Sequence, residues 1–204
     1  LAVFCIVRNR GFISIMNKKN ITLILIGIIL LTLQFNVHIG KIYFDIFNDI
    51  IAMVLIAIGG FPIAGRNVLF KKMRIMIVIG FILTVLGQIM NFVIAYSGGN
   101  NATNIITGLS TISNIYLTYY FTEGLILEAK FQEKSALTRS LRLIWAIYGI
   151  LVFANFIAAM SGIPLIAIFV QVLSVIFAIY YCSSVLTACS HLYMDGLPTK
   201  HMDI

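Results

Sequence analysis

The sequence predicts an all-α membrane protein, a polytopic bundle of six transmembrane helices with both termini cytoplasmic. Three observations carry that reading. Of 204 residues, 61% are hydrophobic and 10% charged, at a mean hydropathy of +1.04, whereas a water-facing domain carries about 25% charged residues. Two stretches, 75–122 and 143–194, hold no Asp, Glu, Lys or Arg; each is too long for one crossing of about 20 residues and suits two with a turn between them. The basic residues fall in groups that alternate with the apolar runs.

Residues 1–20 form a cytoplasmic or interfacial segment. Within it, 1–15 read as an upstream extension, because Arg8 and Arg10 interrupt the apolar start and Met16-Asn17-Lys18-Lys19-Asn20 before an apolar run resembles the start of a bacterial membrane protein. The transmembrane domain occupies 21–190 and a cytoplasmic tail 191–204. The spans are expected at 21–37, 46–64, 75–96, 105–127, 143–160 and 164–186. Each must be helical, since backbone groups in lipid need internal partners and uninterrupted apolar runs contradict the alternation of a barrel. Ser97-Gly98-Gly99-Asn100-Asn101 and Ser161-Gly162-Ile163-Pro164 mark the turns inside the two long runs. The first span is retained, for no small-x-small cleavage site follows it. Gly59-Gly60-Phe61-Pro62 marks a weak point where the second helix ends, because proline lacks the N–H and clashes with the preceding turn.

Orientation follows from charge. Of fourteen Lys and Arg, all but Lys41 fall before the first span, between the second and third, between the fourth and fifth, or in the tail, which places those segments on the cytoplasmic side. The net charge of +7 therefore serves topology and anionic lipid heads. Nucleic acid is not expected as a partner, since no basic domain interleaved with aromatics is present.

Ionisable groups within spans are costly and are functional candidates. Asp45 and Asp49 lie one helical turn apart at the outer mouth of the second span, where they suit either a cation site or the macrodipole of a helix N-terminus. Glu123, near the inner end of the fourth span, suits proton acceptance or a pairing with Lys130 or Arg142. The uncharged amides form a set. Gln34, Gln88, Asn91, Asn155 and Gln171, with Asp49 and with Asn114 in the fourth span, give every span one polar group in the middle or outer half of the membrane. Asp49, Gln88, Asn91, Asn114, Asn155 and Gln171 are the candidate lining of an outward-facing cavity; the competing reading is interhelical glue.

No HExxH, GxSxG, Walker loop or GxGxxG occurs, and His38, His191 and His201 have no metal-ligand spacing, so neither a metal nor a cofactor is expected. Cys5, Cys182 and Cys189 lack CxxC spacing and read as small apolar residues. Asn101-Ala102-Thr103 fits a glycosylation acceptor, which matters only in a secretory host.

Two segments carry a resemblance. The stretch 44–60, with Asp45-Ile46-Phe47-Asn48-Asp49 at its head and Phe70-Lys71-Lys72 after it, resembles the second span of an uncharacterised family of small six-helix membrane proteins of Firmicutes, where members read Asp-Ile-Leu-Pro-Asp-Phe-Ile-Gly-Tyr. Phe47-Asn48 stands here in place of Leu-Pro. Tyr119-Tyr120-Phe121-Thr122-Glu123-Gly124 through Trp145-Ala146-Ile147-Tyr148 is similar to that family's fourth and fifth spans. The resemblance implies six helices in a bacterial cytoplasmic membrane and no known activity.

Three functions fit these features. The first is a non-enzymatic interaction or regulatory protein working through the 128–142 loop, with another membrane protein as partner. The second is a small-solute transporter, or the substrate-binding subunit of one that docks a coupling module, using the outer polar cluster. The third is an intramembrane enzyme, for which no nucleophile with a base was found.

Overall fold

The computed structural model describes residues 18–33, 37–39, 42–44, 46–97, 101–161 and 163–193. Their side chains are described except at 37–39, 42–44, 46–48, 91–97, 101–103, 135 and 193. Among the described residues there are six helices: α1 (Lys18–Thr32), α2 (Ile46–Ile63), α3 (Val68–Ser97), α4 (Asn101–Phe131), α5 (Ser135–Met160) and α6 (Pro164–Tyr193). Three of them hold apolar stretches long enough to cross a membrane: Val68–Met90, Ala136–Met160 and Pro164–Leu192.

The first span departs from expectation. Its helix stops at Thr32, and Val37–Ile39 pairs antiparallel with Ile42–Phe44 as a hairpin, β1 and β2, in the register Val37 to Phe44 and Ile39 to Ile42. The apolar run from Val37 to Phe44 is β-branched and aromatic around Gly40-Lys41, a composition that suits a hairpin with a two-residue connection. The described fold is thus helical with one small hairpin, and β2 rests on α3.

Local signals set the other ends. Asn67 caps α3, its Oδ1 accepting from the backbone N–H of Leu69 (3.0 Å) and Phe70 (2.9 Å). Pro62 is the penultimate residue of α2, and Ala64 and Arg66 close that end with bonds to Phe61 O and Ile63 O. Pro164 occupies the first position of α6, where its missing N–H costs nothing.

The 128–142 segment is not a loop. α4 runs to Phe131 and α5 begins at Ser135. The turn between them is a Schellman motif: Lys134 N–H bonds Ala129 O (3.0 Å), Glu133 N–H bonds Lys130 O (3.1 Å), and Glu133 adopts φ +57°. Basic residues expected in connections lie on helices too: Lys71, Lys72 and Arg74 in the first turns of α3, Arg139 and Arg142 in those of α5. α6 likewise continues past residue 190, where the tail was expected to start.

Each helix packs on its neighbours in sequence, and α6 returns to α1, closing a ring. Its core runs along one stripe of each helix, from Ile24 and Ile28 through Met53 and Ile56, Met73 and Ile77, Leu117 and Phe121 to Tyr148 and Tyr181. Glycine permits the closest crossing: a Cβ on Gly27 would meet Ala52 O at 2.7 Å, and one on Gly59 would strike Asn20 O. The outer faces carry exposed aliphatics such as Ile82, Leu86, Ile150, Ile157, Ile168 and Ile176. A soluble monomer does not display apolar surface on this scale.

Candidate functional site

Helix contacts set the depth of each candidate residue. Gly80 of α3 lies against Ser113 of α4 and Met53 of α2, and Gly87 lies against Ile106. Gly108 lies against Phe156, and Trp145 reaches Thr118. At 1.5 Å per residue, Asn114 shares the level of Gly80, Asp49 and Asn155 stand about 6 Å further toward the hairpin end, and Gln88 about 12 Å further. The interior polar groups form a ladder of levels, not one shell.

Two of the candidates touch. Asn155 Nδ2 donates to Gln171 Oε1 at 2.6 Å, and Gln171 Nε2 donates to the backbone carbonyl of Thr32, also at 2.6 Å. That carbonyl belongs to the last turn of α1, where no intrahelical N–H remains for it, so Gln171 ties α5 and α6 to the end of α1. The path continues inward. Thr32 Oγ1 and the Tyr148 hydroxyl are 3.1 Å apart, the Tyr148 and Tyr181 rings stack at 5.1 Å, and the Tyr181 hydroxyl meets Thr122 Oγ1 at 2.8 Å. Four helices are thereby joined through buried hydroxyls and half-buried amides.

Others stand apart from this chain. Among the described residues, the buried atoms Gln88 Oε1, Asn114 Oδ1 and Ser113 Oγ have no hydrogen-bond partner. Asp49 lies in the first turn of α2, where a carboxylate favours the macrodipole. Gln34 and Asp45, and the side chain of Asn91, lie outside the described residues.

Glu123 resolves to one partner: Arg142 Nε and Nη2 donate to its two oxygens at 2.8 and 2.9 Å. A second pair was missed in the sequence. Arg66 donates through Nε and Nη2 to Glu128 at 2.9 and 3.3 Å, with the side chains 12% and 4% exposed. Asn67 Nδ2 donates to Gly124 O beside it. The signal was available: Glu128 continues the row Leu117, Phe121, Gly124, which the helical spacing of three and four puts on a buried face. Asn67 before an apolar run is likewise a cap signature.

The same end is closed by the turn after α4. Gln132 Nε2 donates to Leu192 O at 3.1 Å and Lys134 Nζ to His191 O, satisfying the last carbonyls of α6. Among the described residues no group of three His, Cys, Asp or Glu could hold a metal ion. Cys182 and Cys189 are buried thiols, Cys182 Sγ reaching Leu25 O at 3.6 Å.

Comparison with protein-family models, with curated proteins and with solved structures yields no match.

Proposed function

We propose that the chain crosses the bacterial cytoplasmic membrane six times, with both termini inside, and binds a small polar solute from the outer side through the ladder of interior polar groups. Several features support the membrane placement. Arg74 precedes exposed Ile75 on α3, Arg142 precedes exposed Leu143 on α5, and Glu123 follows a row of tyrosines on α4. The Glu123–Arg142 pair and the contact of Gly124 with Phe70, one turn before Arg74, bring these three borders within about one helical turn of one another. The resemblance to small six-helix proteins of Firmicutes points the same way.

One observation carries the binding role: among the described residues, three buried oxygens on α3 and α4 have no hydrogen-bond partner. A buried polar atom without a partner costs about 1–3 kcal/mol, and a solute that donates to it recovers that cost. The interaction reading weakens, because 128–142 is helix apart from the short turn 132–134, whose Gln132 and Lys134 side chains are engaged at the end of α6. Among the described residues, no nucleophile is paired with a base near the ladder, which gives the enzyme reading no support.

Thermal melting of the detergent-purified protein against amino acids, sugars, polyamines and carboxylates tests this. One class should raise the midpoint, and Asn114→Leu and Gln88→Leu should abolish the rise while leaving the unliganded midpoint unchanged or higher. No response to any class, with both variants neutral, would sink the proposal. A reporter inserted within 98–104 should read as external.

A further inference from the structure

We infer that the lipid-facing side of α4, at its basic end, seats the headgroup of an anionic phospholipid. The inference rests on the membrane placement proposed above and is independent of the solute. Four aromatic rings form a continuous ledge from α4 to α5: Tyr116 to Tyr120 at 6.2 Å, Tyr120 to Tyr119 at 5.3 Å, and Tyr119 to Trp145 at 5.0 Å. Cations bracket it. Lys72 Nζ lies 5.9 Å from the Tyr120 ring, and Arg142, on the α5 side, remains 57% exposed while it pairs with Glu123.

The ledge presents donors with no acceptors to take them. Among the described residues the hydroxyls of Tyr116, Tyr119 and Tyr120 make no hydrogen bond, and Lys72 faces no carboxylate. Arg142 has five N–H groups and spends two on Glu123. A phosphodiester supplies acceptor oxygens of the matching charge. Above the ledge, exposed Ile105, Leu109 and Ile112 share a helix face with Tyr116 at spacings of four, three and four, a path for an acyl chain. Tyrosines and a tryptophan at this depth, with basic residues beneath, match the interfacial belt, where basic side chains attract anionic lipid.

Trp145 is the only tryptophan, so its fluorescence reads the ledge directly. The full chain is reconstituted in vesicles containing brominated phosphatidylglycerol or brominated phosphatidylcholine at equal mole fraction. The glycerol lipid should quench Trp145 more strongly. Lys72→Gln should lower that preference about fivefold, the equivalent of ~1 kcal/mol per basic residue near an anionic surface, and Arg142→Gln should lower it as well. Lys71→Gln, one position away on another face, should preserve it. Equal quenching by the two lipids overturns the inference, as does an equal loss in Lys71→Gln, which would mean diffuse surface charge. Failure of the wild-type chain to enter vesicles would instead strike the membrane placement itself.

Discussion

Arg66 and Glu128 form a two-pronged ion pair, with Nε to Oε1 at 2.9 Å and Nη2 to Oε2 at 3.3 Å, that fastens the α2–α3 connection to the last turns of α4. Only 4% of the glutamate side chain is exposed. Leu125 and Ala129, its neighbours on α4, are buried, and Asn67 Nδ2 lies 3.5 Å from Oε1.

Removing one member of this pair takes the two-pronged charge partner from a buried ion, although Asn67 Nδ2 stays 3.5 Å from Glu128 Oε1. Arg66→Gln and Glu128→Gln are each expected to destabilise the protein by about 3–5 kcal/mol, read as a lowered melting midpoint in detergent. The double change Arg66→Met with Glu128→Leu should recover most of the loss. If the single changes melt like the wild type, the pair is not a fastening.

Tyr181→Phe deletes the hydroxyl that meets Thr122 and leaves the stack on Tyr148 intact. Thr122 keeps its own bond to Thr118 O at 2.9 Å, so the expected loss is small, about 0.6–1.5 kcal/mol. A double-mutant cycle with Thr122→Val should show a coupling of similar size, and zero coupling would remove that link from the chain.

Glu133 holds a left-handed conformation at the end of α4 without being glycine. Glu133→Gly should relieve about 1 kcal/mol and raise the midpoint, whereas Glu133→Val should lower it by more. The same melting assay separates the two signs.

Gly59 and Gly27 let α1 and α2 cross closely. Gly59→Ala meets backbone at Asn20 and cannot be absorbed by a side-chain rotation, so it should cost about 1–3 kcal/mol. Gly87→Ala faces only a 3.5 Å contact with Ile106 and should be tolerated. Comparable losses in both variants would argue against the crossing.

The positions of five helices were legible because charge in this chain is sparse. Arg74, Glu123 and Arg142 bound the apolar runs, and Ser161-Gly162 divides the last one. The same sparseness misled where charge sits on a helix. Glu128 begins a charged stretch and so reads as loop, although its spacing from Phe121 and Gly124 places it on the buried face. Residues 33–44 were ambiguous for another reason: a short apolar run rich in Val, Ile, Tyr and Phe fits a helix or a strand equally by periodicity. In the polar ladder, sequence places Asn155 and Gln171 on consecutive helices. Their contact depends on how two helices are rotated about their axes, and no linear pattern records the bond from Gln171 to the end of α1.

In the six-span placement proposed above, the described length of α1 has a mechanical consequence for the surrounding lipid. Its 15 residues rise about 22 Å, some 8 Å less than a hydrocarbon layer of about 30 Å. Under that placement, at that point on the perimeter the lipid thins or the hairpin completes the crossing. The Thr32 carbonyl and the Gln171 amide stand at this notch. Hydrophobic mismatch there gives bilayer thickness a lever on the junction between α1, α5 and α6, so vesicles of graded acyl length should shift the melting midpoint more in the wild type than in Gln171→Leu.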